Sequence, residues 1–198
     1  LTVAAGTLTA PLGAAARAHQ PSKVHRVGCL YYGSPTEAER RIRALQTGLR
    51  DYGYIEGKSL ILELRWAETV EQLADLALEL VRLNVDVIFA NSSTEVEATR
   101  QATKTIPIVF ANHADPVPVG HVSSLARPGG NATGLSVLLT EIVAKQLEIM
   151  KQLLPHMKRI GVLAVVTAPS TRPAMQAGEG GPHRLALHVL SVPVRASS

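Results

Sequence analysis

The amino-acid sequence predicts an α/β fold, a parallel sheet flanked by helices. From Val24 onward, short apolar segments alternate with amphipathic segments of helical period. Three of the junctions between them carry a Ser/Thr-x-x-Glu/Gln box, the pattern of a helix N-terminus. Strands that alternate with helices in this way form right-handed βαβ units, and such units build parallel sheets.

The composition sets bounds on the function. The chain has 198 residues, 46% of them hydrophobic, which is enough for a real core. The net charge of +4 comes from interspersed charges, without the basic stripe and interleaved aromatics of a nucleic-acid binder. No apolar run reaches the roughly 18 to 20 residues of a membrane-spanning helix. The single cysteine excludes an internal disulfide and a cysteine-based metal site.

The first residues predict export. Residues 1–18 contain no acid and one base, and they end in Ala16-Arg17-Ala18, a sequence that suits a signal peptidase. We therefore expect a signal-peptide-like leader and a periplasmic or secreted bacterial protein, with a disordered alanine-rich leader as the alternative. Cys29 follows polar residues rather than an apolar run, so it is predicted to be a core cysteine and not a lipid anchor.

The first βαβ unit begins with a predicted strand at Val24–Tyr31. The sequence SPTE at residues 34–37 then has the form of a capping box with proline at the first helical position. Gly53 is a natural end for this helix, and Leu60–Trp66 alternates as a second strand. The predicted apolar face of the helix consists of Ala38, Ile42, Leu45, Leu49 and Tyr52.

Two more units follow in the same pattern. A box at residues 69–72 begins a second helix, and Val85–Ala90 is a short apolar strand. A box at residues 92–95 begins a third helix that runs to about Thr103, and Ile106–Ala111 is the fourth strand. The predicted apolar face of the second helix consists of Leu73, Leu76, Ala77, Leu80 and Val81.

The rest of the chain predicts a crossover into a second sheet. After a turn-rich segment, Leu135–Leu139 is predicted as a strand and Thr140–Leu154 as a longer helix. Arg159–Val166 is an apolar strand that begins the second sheet. Residues 168–181 are rich in Pro and Gly and disfavour a helix beyond a turn or two, and Leu185–Val194 is the last predicted strand.

The candidate site follows from this topology, since ligands of open parallel sheets bind beyond the carboxyl ends of the strands. Helix N-termini and hydroxyl groups there favour an anion, and the carboxylate of Asp115 favours a cation. Together they suit a small zwitterion such as an amino acid. The alternative is that the serines merely cap helices and that Asp115 starts a turn before Pro116. The candidate ligand-binding residues are Ser34, Asn91, Ser92, Ser93, Thr94 and Asp115.

Enzyme patterns are missing from the sequence. It has no phosphate-binding loop, no dinucleotide fingerprint after the first strand and no G-x-S-x-G nucleophile turn. The histidines lack metal-ligand spacing, and His113, beside Asp115, is expected to be solvated. We therefore predict no catalytic residue, no metal and no cofactor. A small-molecule α/β enzyme that uses the same strand-end loops remains the alternative.

Seven segments occur in an order typical of one family: Arg26–Ser34, Gly48–Gly57, Leu62–Ala67, Leu80–Ala90, Thr103–Phe110, Asp115–Val117 and Leu125–Leu135. Together they resemble the substrate-binding proteins of ABC transporters that include tryptophan- and tyrosine-binding members. The resemblance implies a type I periplasmic-binding-protein fold, in which two Rossmann-like lobes close on an amino-acid-like solute. It also implies an ABC permease and an ATPase as partners. The family's first-lobe contacts are matched by Ser34, by Asn91 to Thr94, and by Asp115.

The same resemblance divides the chain into three parts. These are the leader at 1–18, a first Rossmann-like lobe at 24–135, and a crossover with an incomplete second lobe at 136–198. With half of the cleft missing, ligand affinity is expected to fall, and the exposed lobe surface is expected to permit self-association. A ligand-sensing domain of the kind fused to bacterial repressors shares the fold and is a further alternative.

Overall fold

The computed structural model of the protein describes residues 23–165, 168–171, 173 and 187–194. The predicted leader at 1–18 lies outside this part of the chain, as does most of the Pro- and Gly-rich segment at 168–181. The strands are β1 His25–Tyr32, β2 Leu60–Ala67, β3 Val87–Ser92, β4 Ile108–His113, β5 Ala132–Ser136, β6 Arg159–Val165 and β7 His188–Val194. The helices are α1 Pro35–Asp51, α2 Gln72–Arg82, α3 Ser93–Ala102 and α4 Leu139–Leu153.

Both sheets are parallel, as the sequence predicts. The first five strands form one sheet in the order β2-β1-β3-β4-β5, and β6 and β7 form a second sheet of two strands. Every strand pair runs in the same direction. The carboxyl ends of β1, β3 and β4 are therefore neighbours at one edge of the larger sheet. We call this the carboxyl edge, and it contains the loops of the candidate site.

Helices α2 and α3 cover one face of the larger sheet. Because successive side chains of a strand point to opposite faces, alternate residues of each strand meet these helices. Leu30, Ile88 and Ile108 come from three neighbouring strands, and all three are fully buried there. The predicted apolar face of α2 is confirmed: its buried residues are Leu73, Ala77 and Leu80.

Helix α1 packs on the opposite face. Ala38 and Ile42 are buried against Cys29, whose exposure is 0%. Cys29 is thus the core residue that the sequence predicts, and burial raises the pKa of its thiol to about 12. Tyr52 differs from the prediction. The helix ends one residue earlier and Gly53 turns the chain at φ +86°, which leaves Tyr52 85% exposed.

The part of this face above β4 and β5 is open. Val109 is 39% exposed and Leu135 is 71% exposed, although both lie on strands of the sheet. Among the described residues, no helix covers them. A groove of about 480 Å³ follows this opening, and it is lined by Arg41, Ala44, Leu45, Phe89, Asn91, Ala111 and Asn112.

Several strands differ from the prediction in their bounds. β3 and β4 each end two residues later than predicted, because the ladder continues through the polar pair Ser92 and Asn112. β5 lies three residues earlier than predicted, at Ala132–Ser136. It passes through Gly134, which pairs with Phe110, and the sequence pattern treats that glycine as part of a turn.

Helix α2 also begins later than its box predicts. The first helical residue is Gln72, and its side-chain oxygen accepts the backbone N–H groups of Glu68 and Thr69 at 2.7 and 3.2 Å. The box at residues 69–72 therefore does accept hydrogen bonds from backbone N–H groups before the helix, but only through the side chain of Gln72. The cap position is taken by Glu71, whose side chain makes no capping hydrogen bond.

The close approach of β5 to β4 at Gly134 can be tested by substitution. A Cβ atom at this position would lie 2.0 Å from the carbonyl oxygen of Phe110, and the backbone φ is +156°. We expect Gly134→Ala to lower the free energy of unfolding by at least about 2 kcal/mol, measured by urea denaturation.

Gly48 is the matched control. It lies in α1, and a Cβ atom added there would have no neighbouring atom within 4 Å, so Gly48→Ala should raise stability by about 0.5–1 kcal/mol. Equal effects of the two substitutions would contradict the close approach at Gly134.

Candidate functional site

The carboxyl edge brings the predicted site residues into one region. Ser34 lies between β1 and α1 and is exposed. Asn91 and Ser92 end β3, and Ser93 and Thr94 begin α3. Asp115 follows β4 by two residues. Since β1, β3 and β4 are adjacent strands, these residues come from three neighbouring loops.

A buried carboxylate joins two of these loops. Glu95 is 1% exposed. One of its oxygens accepts the backbone N–H of Tyr32 at 3.0 Å, and the other accepts the N–H of Ser92 at 3.2 Å. The hydroxyl of Ser92 also donates to Glu95. The predicted capping box of α3 is therefore present, and it ties the end of β1 to the start of the helix.

This contact changes the expected role of one hydroxyl. The sequence treats Ser92 as a donor for a ligand anion, yet its hydrogen is directed to Glu95. Asn91 is 8% exposed and lines the groove beside α1. Thr94 is half-buried in the first turn of α3. The structure thus brings the predicted residues together, but their polar groups do not all point to one place.

Asp115 links the larger sheet to the helix that leads to the second sheet. It is 3% exposed. Its Oδ2 atom accepts the backbone N–H of Thr140 at 2.8 Å and the hydroxyl of the same residue at 2.5 Å. The residue before α4, Leu138, is in the left-handed region at φ +50°. Asp115 therefore caps the N-terminus of α4, because the residue before the helix, Leu138, makes no capping hydrogen bond. This role is additional to the predicted turn before Pro116.

A chain of hydrogen bonds runs through the edge from the surface to Ser93. His121 Nε2 lies 2.5 Å from Glu97 Oε2, and His121 Nδ1 lies 2.6 Å from His113 Nε2. His113 Nδ1 lies 3.3 Å from the hydroxyl oxygen of Ser93. We call these four residues the relay. The expectation that His113 is solvated is wrong: its exposure is 0%, because β4 continues into the core up to this residue.

The relay shifts the pKa values of its members. Burial, followed by the nearby charge of His121, lowers the pKa of His113 to about 4. Burial also lowers the pKa of His121, against the opposite pull of Glu97. Partial burial would raise the pKa of Glu97, but hydrogen bonds from His121 and Gln101 outweigh it, and the pKa is lowered. At pH 7 both imidazoles are therefore neutral, and the carboxylate is ionised.

The relay could not be found from spacing along the chain. His113 and His121 are eight residues apart on a strand and a loop, and Glu97 lies on another element. The described part of the chain contains no group of three His, Cys, Asp or Glu side chains arranged to hold a metal ion. A second depression, of about 590 Å³, lies near the amino ends of β6 and β7 and includes none of the predicted site residues.

The buried imidazole predicts acid sensitivity. In the unfolded chain His113 takes up a proton near pH 6.5, whereas in the folded chain it does so only near pH 4. The unfolded state therefore binds more protons between these values. We expect stability to fall by up to about 3 kcal/mol as the pH drops from 6.5 to 4, measured by urea denaturation.

Two variants check the assignment to His113. His113→Gln removes the buried titrating group and should flatten the pH dependence in this window. His156→Gln removes an exposed histidine from the loop after α4 and should leave the dependence unchanged. An unaltered slope in His113→Gln would contradict the assignment.

The chain is similar to known proteins in sequence and in fold. The chain is 37% identical over 116 residues to a tyrosine-binding protein of Clostridioides difficile (strain R20291), which is 58% of this chain and 33% of that protein. A crystal structure of a conserved domain protein from Vibrio cholerae superimposes with a TM-score of 0.77 at 29% identity, covering 87% of this chain and 58% of that one. The chain therefore spans little more than half the length of that solved relative, and a third of the curated one.

A further solved structure shows the same fold at lower identity. The ABC domain of Streptococcus pneumoniae in complex with L-Trp superimposes with a TM-score of 0.73 at 23% identity, covering 86% of this chain and 57% of that one. The fold is the type I periplasmic-binding-protein fold, which these neighbours share.

In the described part of the chain, no helix is both long enough and apolar enough to cross a membrane.

The family assignment rests on a match along most of the chain. The profile of one family, described as ABC transporter substrate binding protein, matches residues 36–191. This range begins in α1, contains the relay and Asp115, and extends into β7. The chain accordingly belongs to the ABC transporter substrate binding protein family.

Proposed function

We propose that this chain captures a small amino-acid-like solute at its carboxyl edge, as part of an exported binding component that delivers the solute to an ABC permease and its ATPase. The observation that carries the proposal is the family match over residues 36–191, which includes every predicted site residue except Ser34. The names of the relatives support an amino acid, since one is called a tyrosine-binding protein and one structure holds L-Trp. We further propose a periplasmic or secreted location, supported by the leader sequence.

The chemistry of the edge supports a zwitterion. Asp115 supplies a carboxylate for an ammonium group, and its Oδ2 atom is engaged by Thr140. The first residues of α3 lie one strand away and Ser34 lies two strands away, and both positions are helix starts, where backbone N–H groups favour an anion. Closure of two lobes on such a ligand would bury it and raise its affinity. We propose that Ser34, Asn91, Ser92, Ser93, Thr94 and Asp115 form the first-lobe side of this site.

Titration calorimetry with L-tyrosine and L-tryptophan tests the proposal, with the Clostridioides difficile tyrosine-binding protein as the reference. We expect binding of at least one of the two amino acids. No affinity for any amino acid would contradict the function.

One observation favours an enzyme as the second candidate. The hydroxyl of Ser93 lies 3.3 Å from an imidazole nitrogen of His113, a pairing that activates serine nucleophiles. Hydrolysis of p-nitrophenyl acetate that is lost in Ser93→Ala would support the enzyme, and rates equal to the buffer would argue against it.

The charge of Asp115 can be tested separately from the hydrogen bonds by which Asp115 caps α4. Asp115→Asn keeps an oxygen that can accept from Thr140 but removes the negative charge. Because a hydrogen bond to a charged group contributes about 1.5–3 kcal/mol, we expect the affinity for L-tyrosine to fall about tenfold to a hundredfold by calorimetry. Asp75→Asn, on the exposed side of α2, is the matched control. Unchanged affinity in Asp115→Asn would remove Asp115 from the site.

Self-association stays a prediction that concerns the open face above β4 and β5. Val109 and Leu135 are two large apolar residues that are exposed on that face. If copies of the chain associate there, Leu135→Glu should produce monomers in sedimentation velocity, where the unchanged chain sediments as a larger species. Identical sedimentation of the two proteins would place any association elsewhere.

A further inference from the structure

The relay connects the protein surface to the carboxyl edge. Its outer member is Glu97, whose side chain is 42% exposed. The two histidines are buried, at 3% for His121 and 0% for His113, and the inner member is Ser93 at 4%. Each pair of neighbours lies within hydrogen-bond distance. A relay of this kind has a direction, because every hydrogen bond needs one donor and one acceptor.

The carboxylate sets that direction. An ionised carboxylate only accepts, so His121 carries its hydrogen on Nε2, the nitrogen that faces Glu97. In a neutral imidazole the other nitrogen is then an acceptor, and His121 Nδ1 accepts from His113 Nε2–H. The same rule leaves His113 Nδ1 as an acceptor. The hydroxyl of Ser93 must therefore donate its hydrogen to His113.

This leaves Ser93 with a defined polarity. Its hydrogen is directed to His113, and one of its two lone pairs accepts the backbone N–H of Ala114 at 3.2 Å. The remaining hydrogen-bonding capacity of the oxygen is a single lone pair. The Ser93 hydroxyl oxygen thus contacts the residue that directly precedes Asp115 at the end of β4.

We propose that Glu97, His121 and His113 are positioning residues that make Ser93 a hydrogen-bond acceptor, so that this part of the edge selects a donor group of the ligand, such as an ammonium. The proposal rests on the proposed function, since the ligand is an amino-acid-like solute. It assigns no ligand contact to the three positioning residues themselves. It reverses the donor role that the sequence suggests for the hydroxyl of Ser93.

The same geometry defines what protonation would do. A protonated His121 donates from both nitrogens, so His113 accepts at Nε2 and carries its hydrogen on Nδ1. Ser93 then accepts from His113 and from Ala114, and its own hydrogen becomes free to donate. Another charged group that acts on the relay is Arg100, which donates to the carbonyl of Gly120 and whose charge adds to burial in lowering the pKa of His121. One proton on His121 would thus turn Ser93 from an acceptor into a donor.

Nitrogen-15 NMR of the imidazole side chains tests the direction of the relay without any ligand. At pH 7 we expect His113 and His121 to be neutral, both with the hydrogen on Nε2. On acidification to the point at which His121 becomes charged, His113 should change to the Nδ1–H form. A charged His113 at pH 7, or His113 with its hydrogen on Nδ1 at that pH, would overturn the proposal.

Glu97→Gln tests the carboxylate as the origin of the direction. The amide of glutamine can donate to His121 Nε2, so the Nδ1–H form of His121 should appear in the spectrum of this variant. Glu79→Gln is the matched control, since Glu79 pairs with Arg65 on the exposed side of α2. If the forms of both histidines are unchanged in Glu97→Gln, the carboxylate does not set them and the proposal is wrong.

The ligand preference is tested with three related probes: L-tyrosine, tyramine, which lacks the carboxylate, and 3-(4-hydroxyphenyl)propionate, which lacks the ammonium. Ser93→Ala should weaken L-tyrosine and tyramine about tenfold and leave the propionate unchanged in calorimetry. Glu97→Gln should change the affinities in the same direction but less, and Glu79→Gln should not. Equal losses for all three probes would show a merely structural role and overturn the selection of a donor.

Failure of the two proposals can be told apart. If the unchanged chain binds none of the three probes, the proposed function fails, and the selection of a donor group fails with it. The NMR spectra still decide whether the carboxylate directs the relay. If the chain binds L-tyrosine but Ser93→Ala loses no affinity for it, the proposed function stands and the role of Ser93 is wrong.

Discussion

The carboxyl edge depends on one buried carboxylate. A carboxyl group that is almost completely removed from water is costly unless hydrogen bonds replace its hydration. Glu95 meets this requirement with the backbone N–H groups of Tyr32 and Ser92 and with the Ser92 hydroxyl. The end of β1 and the start of α3 cannot separate without breaking these hydrogen bonds. The spacing between two of the loops that carry the candidate residues is therefore determined by Glu95.

Two other carboxylates also accept hydrogen bonds from distant parts of the chain. Asp115 accepts from the first turn of α4, and Glu97 accepts from His121. Each joins elements that are distant in sequence. The polar ends of β3 and β4 make this possible, since Ser92 and Asn112 still pair in the sheet. The sheet thus extends beyond its apolar part, and its polar end provides the groups from which a binding edge can be built.

The two faces of the sheet differ in a way that concerns partners. The face under α2 and α3 forms the larger core, in which Leu30, Ile88 and Ile108 are fully buried. On the other face α1 covers β1 but leaves Val109 and Leu135 accessible. Apolar side chains exposed beside one another in a sheet favour contact with another surface. The groove beside this open face includes Asn91, so the open face and the carboxyl edge meet there.

The sequence by itself determined the elements, because their signals are local. The apolar face of α2, with Leu73, Ala77 and Leu80, follows from helical period, and the start of α3 follows from a box of four residues. Proximity of the candidate residues also followed, because parallel strands place their carboxyl ends at one edge. The sequence places β5 too late in the chain, because Gly134 is typical of a turn. In the structure Gly134 lies within the strand, where the close carbonyl oxygen of Phe110 leaves no room for a side chain.

The polarity of the site was decided only by the tertiary structure. Whether a serine donates or accepts depends on the group it meets in space, and His113 meets Ser93 across 20 residues of sequence. The partners of His121 and Asp115 lie 24 and 25 residues away. No spacing rule connects such residues, because their contact results from how α3, β4 and α4 pack. Sequence therefore determined which side chains reach the edge, and packing determined which of their atoms remain for a ligand.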